Sequence, residues 1–154
     1  EDYSDWLDNL KVTKVQEMPD EPGGMELSFQ ANTNSFLTFE EGAFSAVQFD
    51  YKLESSGEMY LILRDGTWLK YFGDYAFNAD GEFSDYAGIT TQKLSNGYIR
   101  VTMILSELQR SGCADNRDIA PATLAVFDVY GWTNVNGHIK NLQFLENIPV
   151  KDDK

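Results

Sequence analysis

Between Ala46 and Leu53 apolar and polar residues alternate without a break. Val47, Phe49, Tyr51 and Leu53 fall on one side of an extended chain, and Gln48, Asp50 and Lys52 on the other, which is the two-residue period of a half-buried strand. The pattern recurs. Met59, Leu61 and Leu63 oppose Tyr60, Ile62 and Arg64; Ile99, Val101 and Met103 oppose Tyr98, Arg100 and Thr102. No segment keeps apolar residues three and four apart for long enough to make a core helix. Ser55-Ser56-Gly57, Asp65-Gly66, Asp80-Gly81 and Asn96-Gly97 punctuate these runs. Such pairs mark tight turns because glycine accepts positive φ at no steric cost. At Asp65-Gly66 that reasoning predicts a tight hairpin. The spacing predicts strands over 26–31, 36–40, 46–53, 59–64, 68–72, 75–78, 88–93, 98–105, 123–130 and 137–145. It adds a single helical turn over 106–109 and a polar loop over 111–121. Many short strands at near-regular spacing argue for an antiparallel sandwich or barrel. The expectation is an all-β, antiparallel two-sheet β-sandwich.

With 154 residues the chain is the size of one domain, able to bury about 70% of its unfolded surface in one core. The expected organisation is a segment 1–24, then the sandwich over 25–146, and a charged tail over 147–154. The first segment is either the opening strand of the sandwich or a linker from a preceding module. It ends at a break, Met18-Pro19-Asp20-Glu21-Pro22-Gly23-Gly24. A net charge of −13 with dispersed lysines and arginines argues against nucleic acid and anionic membrane surfaces as partners. It favours a neutral ligand, and it also serves plain solubility. The single cysteine, Cys113, allows no internal disulfide, so packing must supply the stability.

The residues for most kinds of catalysis are missing. His138 is the only histidine, which rules out a multi-histidine metal site, and its place at the start of the last strand suits a surface residue. There is no Gly-x-Ser-x-Gly elbow, and a Cys113–His138 pair lacks nearby groups to depress the thiol pKa. Paired carboxylates would suit glycoside hydrolysis, but Glu40-Glu41 and Glu54/Glu58 sit near strand ends and turns. The stretch from Asn78 to Glu82 resembles part of a calcium loop, yet Ala76 stands where that spacing needs an acid. No catalytic residue, metal ligand or cofactor is assigned; a structural calcium stays open without a location.

The positive signal is aromatic. The chain holds eight Tyr and three Trp, side chains with an apolar body and a polar handle. A pyranose ring presents C–H faces that pack on aromatic rings and hydroxyls that need planar donors and acceptors. Two stretches have that composition: Arg64 to Tyr75, containing Asp65 and Trp68, and Asp128 to Asn136, containing Tyr130, Trp132 and Asn134. Either tryptophan could equally be a core residue. Alternation also turns Gln48, Asp50, Tyr60, Arg64, Arg100, Asp128 and Tyr130 outward. If their strands were neighbours, they would share one polar-aromatic face, either a saccharide platform or a solvated face of charge pairs. Trp6 is read as packing.

Phe49-Asp50-Tyr51-Lys52-Leu53, Trp68 to Gly73 with Phe77 to Gly81, Gly97 to Val101, and Gly131-Trp132-Thr133 with Gly137 to Phe144 are strand phrases. Together, over roughly 44–145, they resemble the β-sandwich carbohydrate-binding modules of secreted bacterial carbohydrate-active enzymes. The resemblance implies a jelly roll, an extracellular location, and attachment to a catalytic or anchoring domain. One departure is Lys140, where such modules often carry Asp. If that acid helps hold a structural calcium in relatives, this chain lacks it. The expectation is a non-catalytic module that binds a poly- or oligosaccharide through Trp68, Trp132, Tyr60 and Tyr130, with hydrogen bonds from Gln48, Arg64, Asp65 and Asn134. The alternatives are a structural or protein-interaction sandwich of a multidomain surface protein and, third, a glycoside hydrolase.

Overall fold

The computed structural model describes residues 12–14, 27–29, 34–54, 56–68, 70–81, 86–108, 123–130 and 135–149. Within them lie ten strands: β1 (Val12–Lys14), β2 (Leu27–Phe29), β3 (Asn34–Thr38), β4 (Ala46–Leu53), β5 (Glu58–Asp65), β6 (Tyr71–Asn78), β7 (Ile89–Lys93), β8 (Ile99–Ile104), β9 (Leu124–Tyr130) and β10 (Gly137–Leu145). They form two five-stranded sheets. The first has the order β1-β3-β9-β5-β6 and the second β2-β10-β4-β8-β7. The fold is a β-sandwich, as the alternation predicts. Its pairings are antiparallel except at one edge, where β1 runs parallel to β3.

The alternating residues meet between the sheets. Val47, Phe49 and Tyr51 of β4 and Val101 and Met103 of β8 close on Met59, Leu61 and Leu63 of β5 and Phe127 and Val129 of β9, all fully buried. Phe49 stands edge-on to Phe127 at 5.3 Å and to Phe77 at 6.0 Å, the arrangement that sets the positive ring edge against the negative face. Tyr51 can be buried because its hydroxyl donates to the Asn78 carbonyl at 2.7 Å, leaving no polar atom to strand.

Three local expectations change. The runs 68–72 and 75–78 are not separate strands: β6 is continuous, with Gly73 buried inside it. Where a helical turn is expected over 106–109, a tight turn spans 104–107, two residues earlier, with Glu107 N–H donating to the Ile104 carbonyl at 3.0 Å; Gln109 lies outside the described residues. The β5–β6 connection is wider than a tight hairpin, closed by Asp65 N–H to the Lys70 carbonyl at 2.9 Å and Trp68 N–H to the Asp65 carbonyl at 3.1 Å. Among its described residues the left-handed one is Trp68, at φ 70°, rather than Gly66.

Candidate functional site

Strands β9, β5 and β6 lie side by side in the first sheet, and their register decides which outward side chains meet. Tyr60 is opposite Tyr130 on one flank and Ala76 on the other; Ile62 lies between Asp128 and Asp74; Arg64 lies between Val126 and Tyr71. Phe36 of β3 is opposite Asp128. The outer face of this sheet therefore carries an aromatic end, Tyr60 with Tyr130, and a charged middle.

The outer face is built to be rigid. Arg64 and Asp128 are buried, with 1% and 0% of their surface exposed, and Arg64 Nε donates to Asp128 Oδ2 at 2.9 Å. A buried pair of this kind is costly to desolvate, so it holds only where its geometry is good. Here Arg64 Nη1 donates to the Trp68 carbonyl at 3.0 Å. Its guanidinium lies 5.6 Å from the Trp68 ring and 5.4 Å from the Tyr71 ring. The Trp68 ring meets the Phe36 ring edge-on at 4.7 Å and stays partly exposed. A bulky residue with positive φ is a strained conformation of order 1–3 kcal/mol, held only where surroundings over-determine it. The surroundings are Arg64, on both the carbonyl and the ring, and Phe36.

At the other end, Tyr60 and Tyr130 stack with centroids 5.4 Å apart and planes inclined by 22°. The Tyr130 hydroxyl donates to Asp74 Oδ2 at 2.6 Å. Burial raises the Asp74 carboxyl above its ordinary value; Tyr130 and Arg64 pull it back and Asp128 adds to the rise. The Tyr130 phenol is pushed far up by burial and then by Asp74, so it stays protonated as a donor. The Tyr60 phenol is raised by burial, with Glu58, Asp74 and Tyr86 adding. Tyr60, Trp68, Tyr71 and Asp74 keep partial exposure over buried Ile62, Arg64, Asp128 and Tyr130.

The sequence-predicted residues divide. Tyr60, Tyr130, Arg64 and Trp68 come together on this face. Gln48 does not. Its strand β4 belongs to the second sheet, where its amide donates to Thr102 Oγ1 at 2.9 Å. Asp50 and Arg100 lie there too, so the single polar-aromatic face expected from alternation is two faces on opposite sides of the sandwich. Asp65 is committed to the turn, accepting at Oδ1 from Thr67 N–H at 3.0 Å and Thr67 Oγ1 at 2.7 Å. Trp132, Asn134, Trp6 and Cys113 lie outside the described residues.

Three contributors went unassigned as site residues: Asp74, Asp128 and Tyr71. Reading β6 as one strand would have placed Asp74 and Tyr71 beside β5. Asp74 and Asp128 flank Ile62, two strand spacings apart, about 10 Å between backbones. They do not make a hydrolytic acid–base pair in this conformation, because Asp128 has no exposed surface and is locked to Arg64. His138 is part-exposed on β10, its Nε2 2.6 Å from Glu54 Oε1. Among the described residues, no group of three or more His, Cys, Asp or Glu is placed to hold a metal ion. No protein-family model, curated protein or solved structure matches this chain.

Proposed function

We propose that this domain is a non-catalytic carbohydrate-binding module whose saccharide lies on the outer face of the first sheet. The observation that carries the reading is Trp68, held in a left-handed backbone conformation by Arg64 while its ring stays partly open beside Phe36. Strain maintained by a buried ion pair marks a position where ring placement matters. A preformed aromatic surface avoids the ordering cost that weakens the binding of a flexible one.

In this reading the C–H face of a sugar packs on Trp68 or Tyr60, and Asp74, whose Oδ1 is buried and whose Oδ2 accepts from the Tyr130 hydroxyl, fixes the ring beneath it. Arg64, Asp128 and Tyr130 act from beneath as positioning residues. Trp132 and Asn134 remain in the proposal on the sequence argument alone. The ligand is a neutral poly- or oligosaccharide, consistent with a chain of net charge −13. Nucleic acid and anionic membrane are not its partners. The distribution of β2, β4, β8 and β10 in one sheet and β3, β5, β6 and β9 in the other supports a jelly-roll reading. That reading and the strand phrases together favour an extracellular module that brings an attached enzyme or cell surface to a glycan.

Affinity electrophoresis through gels containing neutral polysaccharides tests this. The native protein is retarded by at least one of them. Tyr60→Ala and Trp68→Ala each weaken binding about tenfold or more, the size expected when a central aromatic contact is lost. Unchanged retardation of both variants, or none for the native protein across the panel, favours a structural or protein-interaction sandwich instead.

A further inference from the structure

The outer face of the second sheet carries the opposite electrostatic character from the chain as a whole. Among the described residues, Lys52 of β4, Lys140 of β10 and Arg100 of β8 stand on it against Asp50, while Glu54 at the rim is engaged by His138. Asp50 is 1% exposed and saturated: Arg100 donates to it through Nε at 2.8 Å and Nη2 at 3.1 Å, and Asn141 through Nδ2 at 2.8 Å. Arg100 and Asp50 therefore cancel, and the two lysines outnumber the one remaining described carboxylate, Glu54, which His138 offsets only when protonated. Neither lysine forms an ion pair among the described residues.

Both ammonium groups are directed to one ring. Lys140 Nζ lies 4.0 Å and Lys52 Nζ 5.9 Å from the Tyr98 centroid. The Lys52 ammonium is also 3.6 Å from where a Cβ on Gly97 would stand. Lys140 is opposite Asp50 in the ladder, yet its ammonium goes to Tyr98, next to β8 on the far side of β4. Just after Lys140 the β10 register shifts, and Asn141 adopts φ 56°; a bulge re-aims the side chains beside it. A tyrosine ring holds an ammonium without neutralising it, so the donors stay available to an anion. A carboxylate partner would have consumed them.

We infer that this face is a second binding site, for an oligosaccharide bearing an isolated carboxylate, with Lys140 and Lys52 at the Tyr98 ring receiving that group. The surrounding Gln48, Thr102 and Gln92 suit sugar hydroxyls. A protein partner fits less well: a stable protein interface needs a buried apolar centre, and the only large hydrophobic side chain exposed among the described residues is Ile148, near the chain end. A densely charged polyanion is repelled by the rest of the molecule. A single carboxylate on a neutral glycan is attracted locally, since charges beyond about 8 Å are screened at physiological salt.

The test is calorimetric titration of the full chain with two probes: a xylo-oligosaccharide carrying one glucuronic acid branch, and the same compound with its carboxyl reduced to the alcohol. The acidic probe binds about fivefold more tightly, the upper range for an exposed ion pair. The preference shrinks with added salt and is lost in Lys140→Gln and Lys52→Gln, whose circular dichroism and melting stay native. Tyr60→Ala keeps the preference, which separates this site from the one on the first sheet. Equal affinity for the two probes, no binding of the acidic one, or a preference abolished by Tyr60→Ala but kept in the lysine variants overturns the inference. So does concentration-dependent dimerisation that the lysine variants abolish without any change in probe preference.

Discussion

Asp128→Asn isolates the charge of the buried pair, because it preserves the side-chain shape and leaves an oxygen facing Arg64 Nε. In the native protein that contact is 2.9 Å, with neither partner appreciably exposed. Removing one member of a buried pair typically costs 3–5 kcal/mol, since the other charge is left uncompensated in a poorly solvated place. The Arg64 charge also acts on Asp74, which offsets part of it in return, so the expected loss is near the lower end, about 3 kcal/mol. For a domain of this size that lowers the melting temperature by roughly 6–12 °C. Urea unfolding followed by circular dichroism measures it directly, with an unchanged slope as the check that only stability has moved. The loss should be matched by weaker glycan retention, because Arg64 also fixes the Trp68 carbonyl. A loss below about 1 kcal/mol would mean that the pair is not a buried support, and the case for a preset Trp68 would fall with it.

Asp74→Asn should act in the opposite direction. The folded state raises this carboxyl above its ordinary 3.8, so the associated stability is full below that value and lost as pH rises through the folded-state pKa. Asparagine keeps an acceptor for the Tyr130 hydroxyl without the charge. The variant should therefore melt higher than native at pH 7, with the gap closing below pH 4; a lower melting temperature at pH 7 would show that Arg64 outweighs burial. Gly88→Ala should destabilise by about 2 kcal/mol or more, since overpacking and an unsuitable φ act together. The added Cβ would stand 2.7 Å from the Glu107 carbonyl carbon at φ +85°. Chemical denaturation checks it, and a cost under about 0.5 kcal/mol would contradict the packing.

What alternation can tell is local. It gave the bounds of β4 and the inward residues of β5 and β8, because a strand's period is a property of its own backbone. It could not tell which strands would be neighbours. Gln48 and Tyr60 both point outward, but strand order sends them to opposite sides of the sandwich. Nor could it tell that an outward position would be covered. Ile62, Arg64 and Asp128 lie on the outer side of their sheet and are nevertheless buried. That depends on long-range packing, including the return of Trp68 over Arg64. Asp65-Gly66 was legible as a turn. The residue that adopts positive φ there was not, because tertiary contacts with Arg64 and Phe36 override the intrinsic preference for glycine.

Backbone chemical-shift mapping of the isotope-labelled protein against an oligosaccharide cut from a retained polysaccharide tests the placement of the sugar most directly. The amides of Tyr60, Trp68, Tyr71 and Asp74 should shift together and saturate on one curve, with those of β4 and β8 unmoved. Perturbations confined to the second sheet, or none at saturating ligand, would contradict the account.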